Sequence, residues 1–394
     1  MLRLLIVLVA LGQASSPVLA RPDSSPIEPD SLSDQIRSAQ NSGDYPRAAK
    51  LYLQLIASGT DTPEVRSNCG IMLHLAGQNR QALDQFHIAL RRDNSLVSSN
   101  LFAGLAEFDL GEFHAALPYL HRARDLDPNR PTPLLALAKT YLALREYSAA
   151  NDFYSKAAAL DASSAEAWFG RGVTGRSMAD QLLNKAVRDG RANDPALKQK
   201  VQDLLDGAVQ TLSRAIELDP NSARTHLLMA ESLADQGKQA EAIPEYQAAL
   251  KLDPTLDAAY LGLASEYWKQ RQFDQALPLL QRLLQKSPKD PEANAIMADI
   301  LEHNGDIAAS LRHAQIALAG NPALIQTRIV VARLYLAKKQ PKLAIAEIRK
   351  VVSADPDGSY HFLLFRACQQ AGDEQGAKQA MAEFQQIRYG TPSH

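Results

Sequence analysis

The chain has 394 residues, with 42 Lys and Arg against 44 Asp and Glu and a net charge of −2. That balance excludes the basic surface on which non-specific nucleic-acid binding depends. Apolar residues at 46% and charged residues at 22% exclude a disordered chain. The 62 alanines and the low aromatic content of 6% favour helix over strand, and an all-α protein is expected.

The N-terminus opens Met1-Leu2-Arg3, runs apolar from Leu4 to Leu11, and continues through small residues to Val18-Leu19-Ala20. A positive start, a short apolar core and a small-residue cleavage site make residues 1–20 a predicted signal peptide. The core is too short to span a bilayer. Cleavage after Ala20 would give a periplasmic or secreted product without an integral membrane span. An uncleaved, tethering segment is the alternative. Residues 21–30, with three prolines and three acids, read as an extended linker.

The remainder is periodic. Pro220, Pro254, Pro288, Pro322 and Pro356 stand 34 residues apart. The gap from Ala162, in the same phase, to Pro220 is 58, so one unit carries 24 extra residues. Within the unit from Asp257 to Pro288, Tyr260, Leu263, Ala264 and Tyr267 form one helical stripe, and Phe273, Ala276, Leu277, Leu280, Leu283 and Leu284 form a second. A polar turn separates them, and Pro288 stops the second helix. Each unit is therefore a pair of antiparallel helices that buries its apolar face by stacking on the next pair.

Aromatic-x2-Leu-Ala-x2-Tyr, followed by Ala, a large residue four later and Pro, resembles the tetratricopeptide repeat. Ten units in phase begin near residues 29, 63, 97, 131, 165, 223, 257, 291, 325 and 358. The resemblance covers residues 31–390, leaves a tail at 391–394, and implies a right-handed superhelical solenoid. Close helix approach is expected at Gly70, Gly104 and Gly172, and at Ala138, Ala230, Ala264, Ala298 and Ala332. The last helix carries an apolar face of Ala377, Ala380, Met381, Phe384 and Ile387 and a polar opposite face, so the array is expected to close there. The 24 extra residues, near 176–200, read as a basic helical hairpin turning at Gly190–Asp194, with each helix lengthened by about three turns.

Motifs for chemistry fail on context. Gly170-x-Gly172-x-x-Gly175 lies inside a repeat helix and not in a βαβ unit, so it reads as helix packing. His114, His121, His303 and His313 lack the spacing of a zinc site. Cys69 and Cys368 occupy core positions far apart in the array, which predicts buried thiols rather than a disulfide. No enzyme, cofactor or metal is expected.

The resemblance implies that first helices line a concave face. Leu101, Leu105, Phe108, Leu135, Leu142 and Phe169 are expected there, with Leu227, Leu261, Trp268, Ile329 and Arg333 further along. Apolar residues on such a face point to a protein or peptide partner. The expected function is an exported scaffold or adaptor that binds this partner in the groove. Two alternatives stay open: a structural or assembly subunit of an envelope complex, and a regulatory, non-catalytic subunit of an enzyme.

Overall fold

The computed structural model describes residues 31–389. The expected signal peptide, linker and tail lie outside the described residues. Within them the fold is all-α, with twenty α-helices and one short 3-10 turn. The described residues divide after Asn221 into two compact units.

The first unit holds five helix pairs: α1 (Leu32–Asn41) with α2 (Tyr45–Ala57), α3 (Pro63–Leu75) with α4 (Asn79–Arg92), α5 (Val97–Asp109) with α6 (Phe113–Leu126), α7 (Pro131–Ala143) with α8 (Tyr147–Leu160), and α9 (Ala165–Arg188) with α10 (Pro195–Leu218). The second unit holds α11 (Ala223–Asp235) with α12 (Gln239–Leu252), α13 (Asp257–Lys269) with α14 (Phe273–Lys286), α15 (Pro291–His303) with α16 (Ile307–Gly320), α17 (Ile325–Ala337) with α18 (Pro341–Arg349), and α19 (Ser359–Ala371) with α20 (Glu374–Tyr389). Within each unit, each helix packs on its chain neighbours, and from α3 onward each first helix touches the next first helix of its unit. Each unit is thus a short tetratricopeptide-like solenoid.

Local chemistry sets the punctuation. A second helix commonly ends on an extended Asp or Asn whose carboxylate or amide oxygen accepts a backbone N–H two residues on. Ser95 donates to Asp93 at 2.8 Å, Ser163 to Asp161 at 3.0 Å, Thr255 to Asp253 at 2.9 Å and Ala323 to Asn321 at 3.0 Å. This turn, followed in several repeats by proline, releases the chain from the helix. Between paired helices the turn needs a left-handed residue, which Gly43, Gly77, Gly111, Gly237, Gly305 and Gly372 supply.

Glycine also sets helix separation. A Cβ on Gly104 would meet Leu120 at 2.5 Å, and one on Gly172 would meet Leu212 at 2.5 Å. Gly170 and Gly262 lie instead against Tyr154 and Tyr246 on the preceding pair, at 2.2 and 2.4 Å from such a Cβ. The Gly170–Gly175 motif therefore packs helices inside α9.

α9 and α10 are each 24 residues long, against 13 and 14 in an ordinary pair. Gly190, at φ +68°, turns the chain, Asp194 caps α10, and Pro195 occupies its first turn.

The C-terminal repeat departs from the regular spacing for a visible reason. α18 stops after nine residues and a 3-10 turn, Val352–Ala354, follows. The buried Asp355 carboxylate then accepts the N–H groups of Gly358, Tyr360 and His361 and the His361 ring, which resets the start of α19 by one residue. Closure is incomplete: Ala377 and Ala380 are buried, but Phe362, Ile387 and Tyr389 are exposed. Among the described residues no helix pair packs over them.

Candidate peptide-binding groove

The second unit brings first-helix side chains together through its period. The twelfth position of one repeat meets the ninth of the next. Trp268 on α13 donates its indole N–H to Asp299 on α15 at 2.7 Å. One repeat later, Arg333 on α17 grips Glu302 on α15 in a two-pronged pair at 2.7 and 2.5 Å, with Asp299 at 3.5 Å. Glu302 holds the guanidinium in its charged form. Trp268 and Arg333 are thereby fixed in place, and fixed side chains lose less entropy on binding a ligand.

Two cavities adjoin this ladder and share Trp268. The first, about 630 Å³, has apolar walls from Leu261, Trp268, Ile296, Leu324 and Ile325, with Glu231 and Glu292 at its edges. Small residues keep it open: Ala258, Gly262, Ser265 and Ala295 line it where larger side chains would fill it. The second, about 760 Å³, is polar and is lined by Lys269, Arg271, Phe273, Asp299, Glu302, His303 and Arg333. Beneath this region Glu266 is 1% exposed; one of its oxygens accepts from Lys269 at 2.7 Å and the other is buried without a hydrogen bond.

Leu261, Trp268 and Arg333 therefore line cavities in this unit, while Leu227 is half-buried on α11. Ile329 does not face the groove: at 5% exposure it packs with Tyr360 and Leu363 in the core. In the first unit Leu101 is fully buried, in a cluster with Leu134 and Leu137. These two positions are corrected from groove to core, because the next pair's first helix covers them. Leu105, Phe108, Leu135, Leu142 and Phe169 are half-buried. Leu105 packs against two core clusters, so its replacement by Lys costs stability as well as surface. Phe108 stacks at a tilt on Phe113, 5.2 Å between ring centres.

Sequence reasoning missed Glu292, Ile296, Leu324 and Ile325. Ala258, Glu292 and Gln326 share the second repeat position, and the 34-residue phase carried that signal. Leu324 stands in the turn before α17, which the helical stripes do not cover.

His121 and His313 pack within the scaffold, while His303 lines the second cavity. His121 meets the Tyr141 hydroxyl at 3.0 Å, His313 meets Asn294 at 2.7 Å, and His303 lies edge-on to Phe273. Burial lowers the pKa of both His121 and His313. Cys69 and Cys368 are free and buried, and desolvation pushes the Cys69 thiol up to about 11.

Family models described as tetratricopeptide repeat match residues 107–169 and 233–300, residues 75–131 and 201–257, and residues 325–357. The chain is a tetratricopeptide-repeat protein. Among solved structures, the tetratricopeptide array is similar to Pseudomonas aeruginosa pilF, at 18% identity over 60% of this chain and 96% of that one, with a TM-score of 0.47. It is similar to YrrB, described as a tetratricopeptide protein with an unusual peptide-binding site, at 19% identity over 53% and 95% with a TM-score of 0.40. It is also similar to yeast Tom70, at 15% identity over 91% of each chain with a TM-score of 0.39. No curated protein matches the array. No helix among the described residues is long and apolar enough to cross a membrane.

Proposed function

We propose that this tetratricopeptide-repeat chain is an exported, non-enzymatic scaffold that holds a peptide segment of a partner protein in the groove of its second unit. The observation that carries the reading is the first cavity: preformed apolar walls from three successive repeats, with Trp268 fixed at the boundary by Asp299. A preformed apolar slot with fixed polar edges is what peptide recognition on a helical surface uses. The apolar run at Leu4–Leu11 supports export.

A photo-crosslinking residue in place of Ala258, which is exposed and lines the cavity, tests the groove. The same residue in place of Lys251, exposed on α12, is the control. A defined partner band from position 258 and none from 251 is expected. Equal labelling from both positions would remove the groove from the reading. N-terminal sequencing of the native protein is expected to begin at Arg21; a mature chain retaining Met1 would remove the cleaved signal.

A further inference from the structure

We propose that the segment held in the first cavity is cationic as well as apolar: a stretch of a partner protein in which large apolar side chains are interleaved with Lys or Arg. This rests on the reading of the groove as the partner site, and goes beyond it by assigning the chemistry of the occupant.

The charge of the lining carries the inference. Both ionisable carboxylates at this cavity, Glu231 and Glu292, are acidic, and none of its lining residues is a cation. Glu292 is exposed, and its side chain forms no hydrogen bond or ion pair with any described residue. Its capping neighbour Asp290 already satisfies the start of α15 by accepting the N–H of Ala293 at 2.8 Å, so Glu292 is not needed as the cap. Beside low-dielectric apolar walls, a carboxylate attracts a cation more strongly than it does on an open surface.

The cations of the adjoining cavity, Lys269, Arg271 and Arg333, line that cavity and not the first. Both prongs of Arg333 engage Glu302, and Lys269 engages the buried Glu266. An acidic peptide laid along Leu261, Trp268 and Ile296 would meet Glu231 and Glu292 and find no guanidinium or ammonium at the cavity wall. A basic and apolar peptide places its apolar side chains between Trp268 and Ile325 and a cation at Glu292. A purely polar basic peptide leaves the walls wet and loses the hydrophobic part of the binding.

The chain itself contains a segment of similar chemistry. At the end of the long hairpin, Leu183 and Val187 are 46% and 59% exposed, and Lys185, Arg188 and Lys200 form no ion pair among the described residues. A second copy is therefore the competing occupant.

The chain has two tryptophans, so Trp168→Phe leaves Trp268 as the fluorescent reporter inside the groove. Three synthetic peptides of one length are titrated against this full-length variant: alternating Leu and Lys, alternating Leu and Glu, and alternating Ser and Lys. The Leu–Lys peptide is expected to shift Trp268 emission saturably and to bind more weakly as salt rises. The Ser–Lys peptide is expected to bind about tenfold more weakly or less, and the Leu–Glu peptide not to bind. Glu292→Lys is expected to weaken the Leu–Lys peptide about tenfold, and Glu292→Gln about threefold, with melting curves unchanged. Equal or tighter binding of Leu–Glu, or an unchanged affinity in Glu292→Lys, overturns the cationic assignment and leaves the groove reading standing. Failure of all three peptides overturns the proposal too, while labelling at position 258 decides the groove separately. A concentration-dependent mass in light scattering that Lys185→Glu with Arg188→Glu abolishes would overturn it in favour of a second copy.

Discussion

At the scale of single residues, the turn inside each pair shows how one backbone requirement is met by different side chains. Seven pairs place glycine in the left-handed slot, Gly190 of the long pair included, but Arg145, Arg271 and Lys339 hold the same slot at φ +61°, +58° and +55°. A Cβ in this region costs about 1–2 kcal/mol, part of which glycine gives back through its freer unfolded chain. Arg145→Gly and Lys339→Gly are each expected to stabilise the protein by about 1 kcal/mol, read as a higher urea midpoint at unchanged slope. Arg271 also lines the polar cavity beside Trp268, so its replacement removes a groove cation as well as strain.

Asp61 is a second informative residue. Its two oxygens accept from Arg66 at 2.8 and 2.9 Å and from Arg92 at 2.9 and 3.1 Å, tying the start of α3 to the end of α4. Hydrogen bonds from Arg66, then from Arg92, hold its carboxyl well below the usual carboxylate range. A folded-state pKa below the unfolded one gives stability that is fully present above the unfolded value, near pH 4, and is lost as pH falls through the folded value. Asp61→Asn is therefore expected to lower the urea midpoint at pH 7. The gap to the unsubstituted protein is expected to narrow as the pH drops below about 4. A gap that stays constant down to acid pH would mean that Asp61 acts through its shape alone.

At the scale of elements, the long hairpin is separable from the repeat that carries it. The positions that a repeat needs are kept outside it: Gly172 meets Leu212, and Gly175 lies beside Ala208 at 3.3 Å from an added Cβ. Removing residues 177–200 restores the 34-residue spacing, since 58 less 24 is 34, and places Asp203 in the left-handed slot of the shortened turn. The deletion combined with Asp203→Gly is expected to keep a single cooperative melt and the same helical signal per residue in circular dichroism. A broad, non-cooperative melt would show that the distal turns belong to the core. The turn of this hairpin was legible in the sequence because Gly190 and Pro195 each meet a local backbone demand. The break in α18 was not, because it depends on Asp355 capping the following helix.

At the scale of the whole molecule, a stack of pairs spreads a perturbation only through neighbours. Leu280 on α14 is fully buried in a cluster with Tyr260, Ala264 and Met297. Leu280→Ala is expected to cost about 2–5 kcal/mol. The accompanying loss of hydrogen-exchange protection is expected in α13, α14 and α15 and not in α3 to α6. Uniform loss of protection across both units would show instead that the chain unfolds as one body.

The division between what the sequence determined and what tertiary structure decided is sharpest at the fifth position of the repeat. The 3.6-residue stripes, the 34-residue prolines and the turn glycines are local or strictly periodic signals, and they are enough to define the helices, their pairing and the family. They also mark Leu101, Leu261 and Ile329 as apolar residues at one and the same repeat position. Their fates differ: Leu261 walls a cavity, whereas Leu101 and Ile329 are core. The neighbours decide this. Around Leu261 stand Ala258, Gly262 and Ala295, which leave space, while Ile329 is covered by Tyr360 and Leu363 and Leu101 by Leu134 and Leu137. Those neighbours belong to other turns and other repeats. Whether an apolar side chain is buried depends on the volume left by residues far along the chain, and that volume exists only once the pairs are stacked.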